Sequence, residues 1–458
     1  MKKLICAAAA LGLVAGVATT ASALDFSVTG MYQAEGYYLD TADGAGFNPY
    51  DDEHSSDSYW VHTFIMKPTL KVNDKITMKA DVRALKDTDW GSTGGTTSSQ
   101  GIAGDRDLDI HKIYMEYMSP IGKFRVGRTA AAAWQGAYLN NPTNADRIYF
   151  FPKMDKPWGS YVFMQKANEN DRADSDNDSD RDIYEACVYY TAKDTKWAVG
   201  YNLYNDKRAS DTGVPTTSYD AQYHRVKGYV KQNIADLWVE AEIAYEFGDW
   251  MDYDVETIGD TEDVDVDTLS FMAAVGTSFD NLKVSALYFY AQGDDDLTDY
   301  DKEDALGGPA SDGTGDGFNP YYILTGDHTG MLNSDETGDD VNMATAGVHC
   351  IGVSADLAVS DKLTLHGAFA YAWAADEDGV SDAAVLLGGT SIDDEYGWEV
   401  DLGAKYKLLD NLTYEVRAAY MDTGDFFADI VENNNLLTGS NDDEADLMLL
   451  SHHLTMTF

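Results

Sequence analysis

The sequence predicts an all-β chain, closed into a transmembrane, antiparallel, up-and-down β-barrel of 18 strands, with 16 as the alternative count. Three observations predict this fold. Apolar and polar residues alternate with a period of two, short turns alternate with long acidic segments, and beyond the N-terminus no apolar run reaches the roughly 18 residues that a membrane helix needs. Because backbone polar groups must be bonded internally in lipid, strands can cross a membrane only as a closed barrel.

The first 23 residues have the pattern of a secretory signal peptide. Lys2 and Lys3 precede an apolar run from Leu4 to Ala18, and Ala21-Ser22-Ala23 forms a cleavage site of small residues. We expect cleavage after Ala23. The remaining chain, 24–458, repeats one hairpin unit without a linker, and this predicts a single barrel domain.

The period-two alternation is clearest from Leu237 to Phe247, where apolar residues at odd positions alternate with carboxylates that include Glu240 and Glu242. The pattern recurs from Tyr396, which opens the apolar set, to Leu408, and again over 412–420. In a strand, one such set faces one side of the sheet and the other set faces the opposite side. The apolar sets are therefore expected to face lipid and the charged sets the lumen.

The connections predict which end of the barrel each loop occupies. The predicted strands are 24–38, 57–72, 75–87, 106–118, 122–130, 145–152, 159–167, 181–192, 195–205, 218–231, 236–248, 265–279, 282–293, 341–359, 362–376, 392–408, 411–424 and 443–458. Long acidic segments separate the hairpins at 39–57, 88–105, 168–180, 249–264, 294–340, 377–392 and 424–442. Short turns at the periplasmic end and long extracellular loops are typical of outer-membrane barrels.

Composition excludes several functions. The net charge of -47 repels nucleic-acid phosphates, and 12% aromatic residues argue against acidic disorder. After signal removal only Cys187 and Cys350 remain, both in the inward phase and too few for a disulfide framework. The sequence has no nucleophile elbow, P-loop or zinc-protease motif, and nothing singles out a Ser–His pair, so we expect no enzyme.

Two motifs resemble a known family. The chain ends on Phe458, after an alternation that includes Leu454 and Met456, and this end resembles the terminal strand that the barrel-assembly machinery reads. The segment Gly122–Arg128, GKFRVGR, resembles a strand of many porins that leads into a loop folded into the channel. With the signal peptide and hairpin repeat, the whole mature chain resembles the porins of Gram-negative bacteria.

The resemblance implies a location and a function. It implies an integral outer-membrane protein, in contact with lipid and lipopolysaccharide, that lets small hydrophilic solutes or ions diffuse passively through a water-filled channel. The loop near 129–146 would narrow the channel. Porins often form homotrimers, but the sequence has no clear interface signal.

The strand phase predicts channel-lining residues. Inward basic residues concentrate in the first third of the chain and inward acidic residues later, so a transverse field could cross the pore. The same charges could instead pair across neighbouring strands or simply solvate the lumen. The predicted inward set is Lys79, Asp81, Arg83, Lys123, Arg125, Glu240, Glu242, Glu399, Asp401, Glu415 and Arg417. Arg128 and Arg147 flank the predicted constriction loop, where they could hold it to the wall or contact solutes.

The acidic loops leave two further questions open. We expect no resident cofactor, although packed carboxylates in the loops could loosely accumulate Ca²⁺ or Mg²⁺. Alternatively, the loops are simply solvated. A different class of function is a non-conducting interaction barrel, either a sheath for a partner such as an electron-conduit cytochrome or an anchor for a surface layer.

Overall fold

The computed structural model describes most of the barrel and part of its loops. The described residues are 24–40, 42–43, 46–47, 56–89, 109–130, 134–139, 144–168, 180–207, 219–253, 263–295, 302–303, 318–326, 331, 346–386, 388–438 and 444–458. The predicted signal peptide and the greater part of the long acidic loops lie outside these residues.

Eighteen long strands form one antiparallel sheet, as the alternation predicted. They are β1 (25–40), β2 (57–71), β3 (76–89), β4 (109–119), β5 (122–130), β6 (144–152), β7 (158–168), β8 (181–191), β9 (195–206), β10 (219–234), β11 (237–253), β12 (264–279), β13 (282–291), β14 (348–358), β15 (363–373), β16 (395–409), β17 (412–423) and β18 (447–457). Each pairs with its sequence neighbours, and β1 pairs with β18 from Met31–Thr457 to Asp40–Met448. This last pairing closes the barrel and leaves the long sheet without a free edge.

The two faces of the strands have the predicted chemistry. On β11 the side chains of Ile243 and Tyr245 are exposed on the outer face, whereas Glu242, Ala244 and Glu246 are buried on the inner face. Exposed aromatic residues occur toward both ends of the outer surface, as in the interface belts of membrane barrels. They include Trp60, Tyr184 and Tyr420 toward the long loops, and Trp158, Phe279, Tyr406 and Phe458 toward the short turns.

One predicted phase is wrong. Tyr396 was expected to face lipid with Trp398, but it is fully buried on the inner side and donates a hydrogen bond to the Gly347 carbonyl at 2.7 Å. The cause is a β-bulge. Trp373 of β15 pairs with Glu395 while Ala372 pairs with Gly397, and Gly397 has a φ of 112°. The extra residue reverses the alternation at this end of β16.

Two loop segments contain helices that the alternation did not predict. Helix α1 covers Asp378–Leu386, and α2 covers Asp425–Thr438. Both have short apolar stripes, and α2 buries Phe426, Phe427 and Ile430 beside Tyr396 at the long-loop end of the barrel. The predicted strand 341–359 is also shorter and begins only at Val348. Among the described residues, no helix is both long and apolar enough to cross a membrane.

Candidate functional site

A cluster of three cations surrounds one carboxylate on the inner wall of β3–β5. Glu116 accepts hydrogen bonds from Lys123 Nζ at 3.1 Å and from Arg125 Nη2 at 2.9 Å, and Lys79 Nζ lies 2.9 Å from its second oxygen. The sequence predicted these three basic residues to face inward but did not identify Glu116. Three cations around one anion leave this wall with a net positive charge, although Glu116 neutralises part of the predicted concentration of inward basic residues.

Aromatic rings lie against the same cations. The Arg125 guanidinium lies 5.0 Å from the ring centre of Tyr114, and Lys123 Nζ lies 4.5 Å from that of Phe151. Cations over aromatic faces are held by the ring quadrupole, so these side chains are less free than solvated lysines and arginines. The wall of β4–β6 therefore presents oriented positive groups on an aromatic base.

Asp81 and Arg83 lie on the same wall, farther from the short turns than Lys79. Both are buried, and Arg83 Nε lies 3.6 Å from Asp81 Oδ1. The pair faces inward as predicted. Its burial agrees with the alternative in which inward charges are matched by a close neighbour.

Arg147 and Arg128 have different positions. Arg147 is buried on the inner face, where it donates to the Thr129 carbonyl at 2.5 Å and to Gln165 Oε1 at 2.6 Å. It therefore bonds to β5 at the base of the predicted loop. Arg128 follows Val126 on the outer phase and is half-exposed, 3.9 Å from Asp146 Oδ2. The structure does not bring Arg128 together with the channel-lining set, because Arg128 lies two positions after outward Val126 and therefore shares its outer face.

The segment after β5 contacts the inner wall of distant strands. Residues 134–139, here called the first inward segment, include Trp134 and Tyr138, which are both buried. Glu242 on β11 accepts the backbone N–H groups of Ala137 and Tyr138 at 2.8 Å, that of Leu139 at 3.1 Å, and Trp134 Nε1 at 2.9 Å. One carboxylate thus holds four donors. The segment leaves β5 and reaches β11, well round the barrel.

Tyr138 extends this contact to β13. Its hydroxyl donates to the Tyr290 carbonyl at 2.7 Å, and its ring lies 6.0 Å from that of Phe289. Complete burial raises the pKa of Tyr138 well above its usual value, and the nearby Glu242 adds to the effect.

A second segment lies inside the barrel, and the sequence did not predict it. Residues 318–326, the second inward segment, come from the middle of the acidic stretch 294–340, which was expected to be an extracellular loop. Glu399 on β16 accepts the N–H groups of Ile323 at 2.6 Å and Leu324 at 2.8 Å. Neighbouring Asp401 accepts that of Tyr322 at 3.2 Å. The sequence signal was the apolar run YYIL between acidic flanks, because a solvated loop has no reason to carry it.

The two inward segments meet. The ring centres of Tyr138 and Phe318 are 5.0 Å apart in an edge-to-face arrangement, and Phe289 of β13 contacts both rings. These residues belong to one apolar cluster with Tyr321, Ile323, Leu324 and the inner-face alanines of β15. Part of the lumen is therefore packed with side chains rather than open to water.

The role predicted for three acidic residues needs correction. Glu242, Glu399 and Asp401 face inward as expected, but they are at most 2% exposed because the inward segments cover them. They bind backbone amides and do not line open water in this structure. Strand phase identifies the face of the sheet that a side chain occupies, but it contains no information on what covers that face.

A further ion pair lies on the remaining wall, at β16–β17. Arg417 Nε donates to Glu415 Oε1 at 2.8 Å, and Lys405 Nζ lies 3.1 Å from Glu415 Oε2. The Arg417 guanidinium lies 5.0 Å from the ring of Tyr322, in the second inward segment. Burial raises the pKa of Tyr322, and the charge of Arg417 opposes the increase.

Glu240 on β11 completes the predicted inward set. It bonds to Lys231 at 2.6 Å and to the Tyr229 hydroxyl at 2.9 Å.

A buried polar row connects the first and last strands. Ser451 Oγ lies 2.9 Å from His453 Nε2, and His453 Nδ1 lies 2.5 Å from Glu35 Oε1 on β1. No pattern in the sequence pairs a Ser with a His. All three side chains are buried, so the row joins β1 to β18 across the closing pair of the barrel and does not face solvent.

A ring of basic residues follows the short-turn end of the inner wall. Within four residues of that end, the described strands place ten Lys or Arg residues on the inward phase, against five Asp or Glu residues. The ten residues, here called the basic ring, are Lys67, Lys71, Lys79, Lys123, Arg125, Lys196, Lys231, Lys283, Lys405 and Lys407. The five acidic residues are Asp25, Glu116, Glu240, Asp356 and Glu415.

Both inward cysteines are buried and free. Among the described residues, no group of three or more His, Cys, Asp or Glu side chains could hold a metal ion. The expected accumulation of Ca²⁺ or Mg²⁺ concerns acidic loops that lie mostly outside the described residues, and it stays a prediction.

Comparison with known proteins identifies the fold. No family model matches the sequence. Curated proteins likewise provide no match. Among solved structures, the chain is similar to OpdQ of Pseudomonas aeruginosa, with 12% identity, a TM-score of 0.51, and 95% of this chain and 98% of that chain covered. It is also similar to a BenF-like porin of Pseudomonas fluorescens Pf-5, with 12% identity, a TM-score of 0.51, and 95% and 99% covered. OccK8 (OprE) of Pseudomonas aeruginosa gives 12% identity, a TM-score of 0.50, and 94% and 98% covered. The predicted resemblance to outer-membrane porins is confirmed at the level of the fold.

Proposed function

We propose that the chain is an outer-membrane porin that lets small hydrophilic solutes or ions diffuse through a water-filled channel. The observation that carries the proposal is a closed 18-strand barrel whose outer face is apolar while part of its inner wall carries accessible charge. Lys79 and Lys123 keep 38% and 29% of their side chains exposed on the inner wall. Charged side chains facing a lumen are stable only when they meet water or a partner, which favours an aqueous path beside them.

The proposed path is off-centre. The first inward segment extends from β5 to β11 and β13, and the second covers the inner face of β16, so packed side chains occupy that side. The inner wall of β3–β5 and β17 near the short turns, with the Glu116 cluster and the Arg417–Glu415 pair, is the part proposed to face water. Toward the long loops, Tyr37, Leu39 and Val61 of β1 and β2 are buried in the apolar cluster. Both segments would narrow the channel, whereas the sequence predicted one constriction near 129–146.

The predicted location and partners are retained in this proposal. The signal sequence, the apolar outer face and the aromatic belts support an integral protein of the outer membrane, in contact with lipid and lipopolysaccharide. Phe458 directly follows β18 with about half of its surface exposed, at 48%, and its ring packs near Phe64. An exposed terminal side chain supports recognition by the assembly machinery. Homotrimer formation stays a proposal taken from the resemblance.

A second candidate function is favoured by one observation. The apolar cluster around Tyr138, Phe318 and Leu324 fills part of the lumen, as expected for a non-conducting barrel that serves as a sheath or anchor. The acidic loops could then bind a partner or a surface layer.

Single-channel recording of the purified protein in a planar lipid bilayer separates the two functions. A porin gives steady open current without any partner, whereas a sheath or anchor gives none. Candidate solutes that enter the channel reduce the ion current while they occupy it. Absence of unitary current from protein that is folded by circular dichroism would contradict the porin function.

The same recording tests the narrowing. Glu242→Gln places an amide N–H₂ against the amide donors of the first inward segment, so the segment should loosen and conductance should rise. Glu240→Gln is the matched control, because Glu240 lies on the same strand and inner face but bonds to Lys231 and Tyr229 instead. Equal conductance in the two variants and the parent would mean that this segment does not limit flow.

A further inference from the structure

Two acidic side chains lie against each other beneath the second inward segment. Glu399 and Asp401, here called the carboxyl pair, share the inner face of β16 at 0% and 1% exposure. A side-chain hydrogen bond joins their carboxyl groups. Because an ionised carboxylate can only accept hydrogen bonds, a bond between two carboxyl groups requires a proton on one of them.

The hydrogen-bond donors around the carboxyl pair identify the protonated oxygen. Both oxygens of Glu399 accept backbone N–H groups, Oε1 from Ile323 at 2.6 Å and Oε2 from Leu324 at 2.8 Å. Asp401 Oδ2 accepts that of Tyr322 at 3.2 Å. Asp401 Oδ1 is buried, and none of the described residues donates a hydrogen bond to it. Of the oxygens in the pair, Oδ1 is therefore the one free to carry a hydrogen atom and donate it.

The groups packed around the carboxyl pair supply no charge that could replace this proton. Arg417 of β17 is the cation that acts on Asp401, but its Nε donates to Glu415, and within the described part of the chain no cation lies at salt-bridge distance from the pair. The residues paired with it on the two flanking strands are uncharged, namely Ala368, Ala370, Ala419 and Met421. The other titratable groups that face it are weak acids, neutral at pH 7, namely Cys350 of β14 and Tyr321 and Tyr322 of the segment.

We infer that Asp401 carries a proton on Oδ1 and donates it to an ionised Glu399, and that loss of this proton releases the second inward segment. With the proton in place the pair has one negative charge, which the N–H groups of Ile323 and Leu324 stabilise. When hydroxide removes the proton as water, two carboxylates are left in contact in a buried site, and like charges so close are strongly unfavourable. Movement of the segment admits water to the pair. The segment is thus a latch that is closed at neutral pH and opens as pH rises.

The first inward segment is held without such a proton. Glu242 accepts three backbone N–H groups and Trp134 Nε1, so donors occupy both of its oxygens. Donors of this kind favour the ionised form of a carboxyl group, and no described carboxyl group is hydrogen-bonded to Glu242. The first segment should therefore stay in place at a pH that releases the second, and it provides an internal control.

Infrared spectroscopy tests the proton itself. An ordinary aspartic acid is ionised at ~pH 7, so the carbonyl stretch of a protonated carboxyl group reports exceptional buried acids. In the folded barrel, Asp401→Asn should remove one such band. Asp356→Asn is the matched control and should remove none, because Asp356 is a half-exposed carboxylate of the inner face that bonds to His366. A protonated-acid spectrum that Asp401→Asn leaves unchanged would overturn the inference.

Two amide variants test the latch at fixed pH. They make the same chemical change two residues apart, yet the inference predicts opposite results. Asp401→Asn places an N–H₂ group where Oδ1–H donates, so the protection of 318–326 against hydrogen–deuterium exchange should stay within about 3-fold of the parent. Glu399→Gln places an N–H₂ group against the N–H of Ile323 or Leu324, and protection should fall by about 10-fold or more. Equal protection in the two variants would contradict the assignment of the proton to Asp401.

Raising the pH tests release in the unaltered protein. Between ~pH 7 and ~pH 10, the infrared band and the protection of 318–326, corrected for the intrinsic exchange rate, should be lost together, while 134–139 stays protected. Asp401→Asn should show no such loss. A band that persists to ~pH 10, or a segment that stays protected after the band is gone, would overturn the latch. Simultaneous loss of protection in 134–139 would mean general loosening of the barrel and would also overturn it.

These measurements separate the latch from the channel. Infrared spectra and hydrogen exchange need no ion current, so the latch can fail while the porin function stands, and the reverse. Only the consequence for flow rests on the proposed function. In a conducting barrel, the pH that releases 318–326 should also raise unitary conductance, and Asp401→Asn should remove that increase.

Discussion

At the residue scale, carboxylates organise the inner wall. Glu116 holds Lys79, Lys123 and Arg125, and Glu242 holds four donors of the first inward segment. Charge-assisted hydrogen bonds of this kind are stronger than neutral ones, and removing one partner leaves the others desolvated and unsatisfied. A single acidic side chain therefore determines the position of several groups around it.

Glu116→Ala should make the channel more anion-selective. The substitution leaves Lys79, Lys123 and Arg125 without their shared counter-charge, so the permeability ratio of anion to cation should rise by about 2-fold at low salt. Reversal potentials in a KCl gradient measure the ratio. Asp194→Ala, which removes the same charge from an exposed short turn, is the control. An unchanged reversal potential in Glu116→Ala would show that the cluster does not face the ion path.

At the element scale, strands form the wall, and the inward segments determine how much of the lumen stays open. Neither segment has regular secondary structure, so neither satisfies its own backbone donors. Strand carboxylates supply the acceptors: Glu242 for the first segment, and Glu399 with Asp401 for the second. The loops lie inside the barrel because the wall provides these partners.

Replacing Glu399 with Leu should release the second inward segment. The side chain has similar volume but no acceptor, so the N–H groups of Ile323 and Leu324 lose their bonds at a cost of about 1–3 kcal/mol each. Hydrogen–deuterium exchange of peptides covering 318–326 should accelerate, and unitary conductance should increase. Glu395→Leu, on the same strand but outside this contact, is the control. Unchanged exchange in the Glu399 variant would contradict an anchoring role.

At the scale of the whole molecule, closure determines stability. All neighbouring long strands are antiparallel, and the only pair distant in sequence is β1 with β18, which brings the two ends of the mature chain together. The row Ser451–His453–Glu35 adds buried side-chain bonds to this pair. Because closure depends on this one long-range pairing, its side-chain bonds contribute to the stability of the entire barrel.

Glu35→Gln should therefore destabilise the closed barrel. The substitution removes the negative charge from the group that bonds to His453 and to the Tyr37 hydroxyl. The free energy of unfolding should therefore fall by about 1–3 kcal/mol. The midpoint of heat-induced unfolding, followed as the change in gel mobility of the folded barrel, measures the effect. Asp25→Asn removes the same charge from an exposed position of β1 and should leave the midpoint in place. Equal midpoints for both variants would mean that the row adds nothing to closure.

The sequence by itself determined the all-β class, the 18 strands and the assignment of most side chains to one face. The reason is local, because a period of two follows from strand geometry and needs no knowledge of the rest of the chain. Lys79, Arg83, Lys123, Arg125, Glu415 and Arg417 all face inward as predicted for that reason. Tyr396 is the exception, since a one-residue bulge at Gly397 reverses the phase and leaves no mark on the period itself.

Only the tertiary structure decided what covers the inner face. The partners of Glu242, Glu399 and Asp401 are loop amides about 80–100 residues away in sequence, at separations of 104, 76 and 79 residues for Tyr138, Ile323 and Tyr322. A backbone N–H carries no residue identity, so no sequence pattern marks it as a partner. The apolar run YYIL indicates that part of 318–326 avoids water, but its contacts with Glu399 and Asp401 required the closed barrel, as did the Ser451–His453–Glu35 row. The closed barrel brings together groups that alternation along one strand cannot relate.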